Sequence, residues 1–182
     1  MEYPPQYESK FWLDDGTEIY IRPIRPDDVG RMARLFEEFS DGTVYLRFFS
    51  AIESMSIEKL RYFCEIDYED HMALVAYVLD NADEVLVGVA RYVATPDEEG
   101  AEFAVVVADS WQNRGIGTTL LRNLIEAAKD RGIEKFHAPV KYENRKALGM
   151  FRNAGYRFTQ SAYEPGVSRV EFGLIRPLDT PT

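Results

Sequence analysis

The stretch 101–123, AEFAVVVADSWQNRGIGTTLLRN, limits what this chain can fold into more than any other part of it. The apolar run 103–108 has the length and β-branched content of a buried strand. It stops at Asp109 and Ser110. Gln112-Asn113-Arg114-Gly115-Ile116-Gly117 follows, and apolar residues then recur at helical spacing at Ile116, Leu120, Leu121, Leu124 and Ile125. A strand, a Gly-bearing turn and a helix start in that order form a natural anion site. The first backbone N–H groups of a helix have no internal partner, and the helix dipole concentrates positive charge there. Two glycines remove Cβ atoms where a diphosphate would touch the backbone. A plain strand-to-helix turn would have the same pattern, so the pair of glycines is not decisive alone. Two nucleotide readings fail outright. A P-loop needs Lys and then Ser or Thr after its last glycine, where this chain has Thr118-Thr119, and a dinucleotide fingerprint needs a third glycine where Leu120 stands.

The chain has 182 residues, enough for one domain with a sizeable core, and the expectation is a single domain over 1–182 with its core in about 16–176. A formal net charge of −10 argues against generic nucleic-acid binding, which requires a basic surface. It suits a cationic acceptor such as an amine, although acidity more commonly serves solubility. No apolar run approaches the roughly 20 residues of a membrane span, and the opening MEYPPQYESK lacks a signal-peptide core. A cytoplasmic location is expected, with no membrane and no nucleic-acid partner. Cys64 is the sole cysteine, which excludes an internal disulfide and reads as a packed core thiol. His71 and His137 are isolated, no hydrolase triad or His-Glu-x-x-His pattern occurs, and no metal is expected.

Periodicity and turn chemistry predict a strand over 17–24 after the Asp15-Gly16 turn, then a helix beginning at Pro26-Asp27-Asp28. One or two further helices fall within 43–65, with Tyr45, Phe48 and Phe49 partly buried. Strands follow at 72–79 and 85–94, joined by a polar turn over 80–83. The central strand and helix come next, with Gly132 placed for a helix C-cap. Another strand at 133–140, a helix at 144–153 and closing strands at 155–161 and 168–175 complete a mixed α/β sheet covered by helices. Pro4-Pro5 and 177–182 read as frayed ends.

Gln-x-x-Gly-x-Gly after a strand resembles the acyl-CoA-binding motif of the GNAT family of N-acetyltransferases, and the order of elements resembles the whole GNAT fold. A second block, 143–156 (ENRKALGMFRNAGY), looks like the family's Asn-x-x-Ala…Tyr…Gly-Phe segment. DGTEIYIRPIRPDD, TVYLRFFS and DYEDHMALVAYV are similar to the catalytic domain of bacterial protein lysine acetyltransferases of the Pat type. The resemblance implies an α/β acyl-CoA N-acyltransferase fold, with a mixed, mostly antiparallel sheet of six to seven strands and about four helices. It implies acetyl-CoA as co-substrate. The diphosphate would be held by Gln112, Asn113, Arg114, Gly115, Ile116, Gly117 and Thr118, and the pantetheine arm by the backbone of Val105 and Val107. Asn144 would contact the CoA arm, a role compatible with a plain N-cap.

Transfer of an acetyl group from a thioester to an amine needs a base, because an amine with pKa about 10.4 is protonated at neutral pH. Glu102, at the start of the central strand, is the candidate, and the resemblance implies the same. If it faces the cleft, desolvation is expected to raise its pKa. Its bland alternative is a solvated carboxylate beside the acidic loop 97–99. A backbone N–H near Val106 would polarise the thioester carbonyl. Many family members use a Tyr of the second helix to protonate the leaving thiolate, but the matching residue here is Phe151, which has no proton to give. Tyr142 and Tyr156 are more simply scaffold.

Three functions stay open at this point. One is a protein lysine acetyltransferase. Another is an acetyltransferase for a small amine, whose pocket would draw on Glu65, Asp67, Glu69 and Asp70 from the variable region 39–68. The third is a non-catalytic acyl-CoA sensor. Monomer and homodimer are both compatible with the sequence.

Overall fold

The computed structural model describes residues 2–49, 52, 54–95 and 100–174. Its strands are β1 (Ser9–Trp12), β2 (Glu18–Pro23), β3 (His71–Asp80), β4 (Asp83–Thr95), β5 (Gly100–Val107), β6 (Lys135–Lys141), β7 (Thr159–Glu164) and β8 (Val167–Gly173). Its α-helices are α1 (Val29–Glu37), α2 (Asp41–Phe48), α3 (Ile57–Cys64), α4 (Ile116–Asp130) and α5 (Arg145–Asn153). The strands form one sheet in the order β1-β2-β3-β4-β5-β6-β8-β7, antiparallel at every step except β5 to β6. The described residues therefore hold eight strands and five α-helices, more than the six to seven and four expected. β1 accounts for part of the difference, since its four residues are mostly exposed and carry no burial pattern to read.

The central strand is buried on both faces. Phe103 and Val107 pack with Leu120, Leu121, Leu124 and Phe151 on the side covered by α4 and α5. Val106 packs on the opposite side with Val89, Leu35, Leu60 and Cys64, under α1 and α3. β3 and β4 are joined through Asn81 and Ala82, both at positive φ (48° and 71°), the two-residue geometry that matches strand twist.

The Pro26 region forms a 3-10 turn, Pro26–Asp28, before α1, and Asp28 there is fully buried. Arg22 of β2 donates to both Asp28 carboxylate oxygens at 2.7 and 2.8 Å and to Glu84 of β4 at 2.5 Å. One guanidinium thus ties two strands to the start of α1. The N-terminal segment is not frayed. Pro4 is buried, Tyr3 meets Tyr68 edge-on at 6.1 Å, and the Arg25 guanidinium lies 5.1 Å from the Tyr3 ring centre. Aromatic packing supplies the order that the proline pair did not suggest. The expected end at 177–182, and Ile175 at the close of the last strand, lie outside the described residues. Among the described residues, no helix is long and apolar enough to cross a membrane.

The step that matters most for function is the parallel one. β5 and β6 pair only at Ala101 with Phe136 and Glu102 with His137. Beyond Glu102 the two strands part, while β5 stays paired with β4 along its full length.

Candidate active site

The gap left by the parting strands opens into a cavity of about 1010 Å³, bordered by β5 from Glu102 to Val107, by Ala138 to Val140 of β6, by the α4 N-terminus, by α5 and by α2. That is large enough for an extended, drug-sized or larger ligand. The β5 backbone facing the gap follows from the ladder. Ala108 N–H donates to the Val87 carbonyl at 2.9 Å, and opposed residues in an antiparallel pair alternate between bonded and unbonded. Val106, opposite Val89, is therefore in a bonded pair and turned to β4, whereas Val105 and Val107 turn their N–H groups to the gap. The free N–H groups nearest Val106 are thus one residue to either side of it. The Val107 carbonyl is already occupied, accepting from Gln112 Nε2 at 3.0 Å.

The α4 N-terminus forms because Gly115 takes a left-handed φ of +85°, which strains a residue with a Cβ. No side chain caps the helix, so its first amides are open to a ligand. Gly117 sits in close packing against α5 and β5. A Cβ there would stand 3.0 Å from Met150 Sδ of α5 and 3.5 Å from Val107 Cγ2. Asn113, Gly115, Ile116, Gly117 and Thr118 all border the cavity. Arg114 does not: its guanidinium pairs with Asp15 of the β1–β2 turn and lies 5.0 Å from the Trp111 ring centre. The side chain expected to bring charge to a diphosphate instead clamps the loop to the N-terminal hairpin.

Gln112 also braces the loop. Its amide nitrogen donates to Thr43 Oγ1 at 3.2 Å as well as to Val107, and its oxygen accepts from Lys146 Nζ of α5 at 2.9 Å. Asp109 extends the brace. It accepts from Ser40 N–H at 2.9 Å, Ser40 Oγ at 2.7 Å and Thr43 Oγ1 at 3.1 Å. Burial alone would raise the Asp109 pKa, but the Ser40 and Thr43 hydrogen bonds outweigh it and hold the carboxyl below its usual value. Ser40 is also the N-cap of α2. Residues 40, 43, 109, 112 and 146 thus lock α2, the loop and α5 together. The Ser-x-x-Thr spacing at 40–43 was the one sequence signal for this, and it announces only the helix cap. Asn144 caps α5, accepting from Ala147 N–H at 3.1 Å, and also borders the cavity.

Glu102 sits on the cavity rim and is exposed, so the burial expected for it is not found. Its charged neighbour is Arg47 of α2, a partly buried residue on the same cavity wall that sequence reasoning missed. Burial pulls the Arg47 pKa down, and the attraction to Glu102 opposes it. Phe151 is 3% exposed and packs edge-on against Phe103 at 5.3 Å, forming the cavity floor. Among the described residues no tyrosine borders the cavity: Tyr142 is exposed and Tyr156 is buried against Phe172. Tyr45, expected to be partly buried, is exposed, with Lys141 Nζ 4.6 Å from its ring centre.

The acidic residues weighed for a small-amine pocket lie away from this cavity. Glu65, Asp67, Glu69 and Asp70 do not border the cavity, and Asp67 closes a turn by accepting from the N–H groups of Glu69 and His71. Cys64 is fully buried, and burial pushes its thiol up to about 12. Among the described residues no group of three or more His, Cys, Asp or Glu side chains gathers as a metal site would need.

The geometry agrees with comparison to known proteins. The Acetyltransferase (GNAT) family model matches residues 33–156. An acetyltransferase of Pseudomonas aeruginosa is 35% identical over 141 residues, covering 76% of each chain. Acetyltransferase Pat of Mycolicibacterium smegmatis is 36% identical over 130 residues, which span 71% of this chain but only 38% of that protein. The solved GNAT domain of S. lividans PAT superposes with a TM-score of 0.85 at 33% identity, covering 94% of this chain and 99% of that one. The chain belongs to the GNAT acetyltransferase family, is a homologue of Pat, and uses acetyl-CoA as its acyl donor.

Proposed function

We propose that the protein acetylates the ε-amino group of a protein lysine in the cytoplasm. The observation that carries this reading is the unpaired β5 edge, with Glu102 at its mouth and uncapped α4 amides at its far end. A diphosphate at 115–118 leaves the pantetheine arm to run back along Val107 and Val105 toward Glu102. Val105 lies about 10 Å along the strand from Glu102 and is the better placed of the two free N–H groups to polarise the thioester carbonyl. Glu102 takes a proton from the acceptor ammonium, directly or through water. The freed nitrogen attacks the carbonyl carbon, the N–C bond forms and the C–S bond breaks. The thiolate leaves with its electron pair and receives, through water, the second proton that the nitrogen sheds as the amide forms, since Phe151 supplies none. The kinship with Pat-type enzymes supports lysine as the acceptor.

Replacing Glu102 by Gln is expected to leave acetyl-CoA affinity intact while lowering kcat by roughly 10²–10⁴-fold. Turnover like that of the unmodified protein would remove Glu102 from the mechanism. Acetyl-CoA consumption with lysine-bearing proteins beside a panel of small amines tests the acceptor, and turnover confined to small amines would overturn the lysine reading.

A further inference from the structure

Two guanidinium groups stand on the Glu102 side of β5 without a carboxylate of their own. Arg91 of β4 is opposite Ala104, so strand alternation puts its side chain on the face that carries Glu102. It is 7% exposed. Its Nη1 donates to the Phe63 carbonyl at 3.3 Å and to His71 Nε2 at 3.1 Å, and its guanidinium lies 4.4 Å from the Phe63 ring centre. A guanidinium cannot accept, so His71 accepts through Nε2 and is the neutral tautomer with its proton on Nδ1. Arg47, on the cavity wall, lies with its guanidinium 4.8 Å from the ring centre of Phe48. Among the described residues neither arginine makes an ion pair. They repel each other instead. Burial first, and then the charge of Arg47, bring Arg91 down to about 9.

Removing two like charges from water is unfavourable unless an anion joins them. The carboxylate near Arg47 is Glu102, and acetyl transfer needs that group free to take a proton. Glu65, Asp67, Glu69 and Asp70, weighed for a small-amine acceptor, do not border the cavity. A polycation would meet Arg47 on the α2 wall, whereas an amine that brings its own carboxylate would pair with it.

We propose that Arg47, backed by Arg91, selects acceptor amines that carry a carboxylate close to the reacting nitrogen, by donating charge-assisted hydrogen bonds to that carboxylate on the α2 wall. The inference rests on the lysine reading above for its preferred source, an Asp or Glu side chain next to the acceptor lysine. The α-carboxylate of a free amino acid has the same chemistry.

The test is steady-state kinetics on end-blocked peptides with a central lysine flanked by Asp/Glu, by Ala or by Lys, with free lysine and lysine amide beside them. The acid-flanked peptide is expected to exceed the Ala-flanked one by roughly tenfold in kcat/KM, with the Lys-flanked peptide poorest. Arg47→Gln should shrink the acid-to-Ala ratio to within about twofold and Arg47→Lys should retain part of it. CoA affinity of each variant reports that the cavity is folded. No preference in the unmodified protein, or an equal preference in Arg47→Gln, overturns the proposal while leaving acetyl transfer to lysine intact. Turnover of free lysine over its amide, with no peptide acetylated, would keep the carboxylate rule and overturn the protein-lysine reading.

Discussion

Arg22 and Arg91 are both buried arginines on neighbouring parts of one sheet, 1% and 7% exposed, yet their surroundings are opposite. Arg22 faces two carboxylates, Asp28 and Glu84. Burial would lower its basicity, but hydrogen bonds to those two partners outweigh it and raise its pKa. Asp28 is the reciprocal case, held below its usual value by Arg22 and the Arg25 N–H although burial pushes it up. Arg91 has a backbone carbonyl, a neutral imidazole and a phenyl ring, and a second guanidinium within reach. The first arrangement is closed and ties strands to a helix. The second is open in charge, and its like-charged neighbour Arg47 lines the cavity. Satisfied charge marks the frame here, and on the proposal above unsatisfied charge marks the place where a ligand is read.

The comparison is broken or sharpened by substitutions on each side. The largest effect is expected from Arg22→Met, which removes the two-pronged partner of buried Asp28, leaving it Arg31 and the Arg25 N–H, and should cost about 3–5 kcal/mol in urea unfolding. A loss below about 1 kcal/mol would mean that the closed cluster does not hold the frame.

Next is the pH dependence of stability. Burial, and then the charge of Arg91, depress His71 from 6.5 to about 4. Between those values the unfolded chain binds the proton that the folded one refuses, so stability is full above pH 6.5 and falls by about 3 kcal/mol as pH drops to 4. Asp28 acts lower still: its contribution is present above the ordinary Asp value and is lost as pH falls through its depressed pKa. Urea titrations of His71→Gln and the unmodified protein from pH 7 to pH 4 should diverge across the upper window.

A smaller effect is expected for Arg91→Met, within about 2 kcal/mol, because the lost contacts are offset by relief of a buried charge that had no counter-ion. In that variant the His71 window should narrow as its pKa rises, which NMR titration of the imidazole would read. A destabilisation as large as that of Arg22→Met would erase the contrast. The smallest effect is expected for Lys146→Ala. Its exposed contact to Gln112 is worth less than about 1 kcal/mol, so a few-fold rise in KM for acetyl-CoA is expected with kcat little changed.

Linear features were legible in the sequence where local physics dictates them. The strand, glycine turn and amphipathic helix at 101–130 are local patterns, and so are the Asn144 cap and the β3–β4 turn. β7 begins four residues and ends three residues later than expected, at Thr159–Glu164 instead of 155–161, because all six of its residues are exposed and leave no alternation to read. Pro4 was misjudged because it is buried in a segment whose Tyr3 meets Tyr68 and Arg25, distant partners that no local pattern names. In the site, the motif residues came together, and distant partners engage several of their polar groups. The Arg114 side chain pairs with Asp15, the Gln112 side chain with Thr43 and Lys146, and the Val106 N–H is turned to β4 by the phase of the ladder. Arg47 and Arg91 were invisible because no local pattern distinguishes an arginine that will be buried without an anion from one that will be solvated.

The claim on which the rest stands is that the unpaired β5 edge and the uncapped α4 amides together hold acetyl-CoA. A crystal structure with CoA tests it most directly. The diphosphate is expected on the backbone N–H groups of 115–118, with the pantetheine arm along Val107 and Val105 and the thiol near Glu102. CoA bound elsewhere, or a diphosphate held away from the α4 N-terminus, would contradict it.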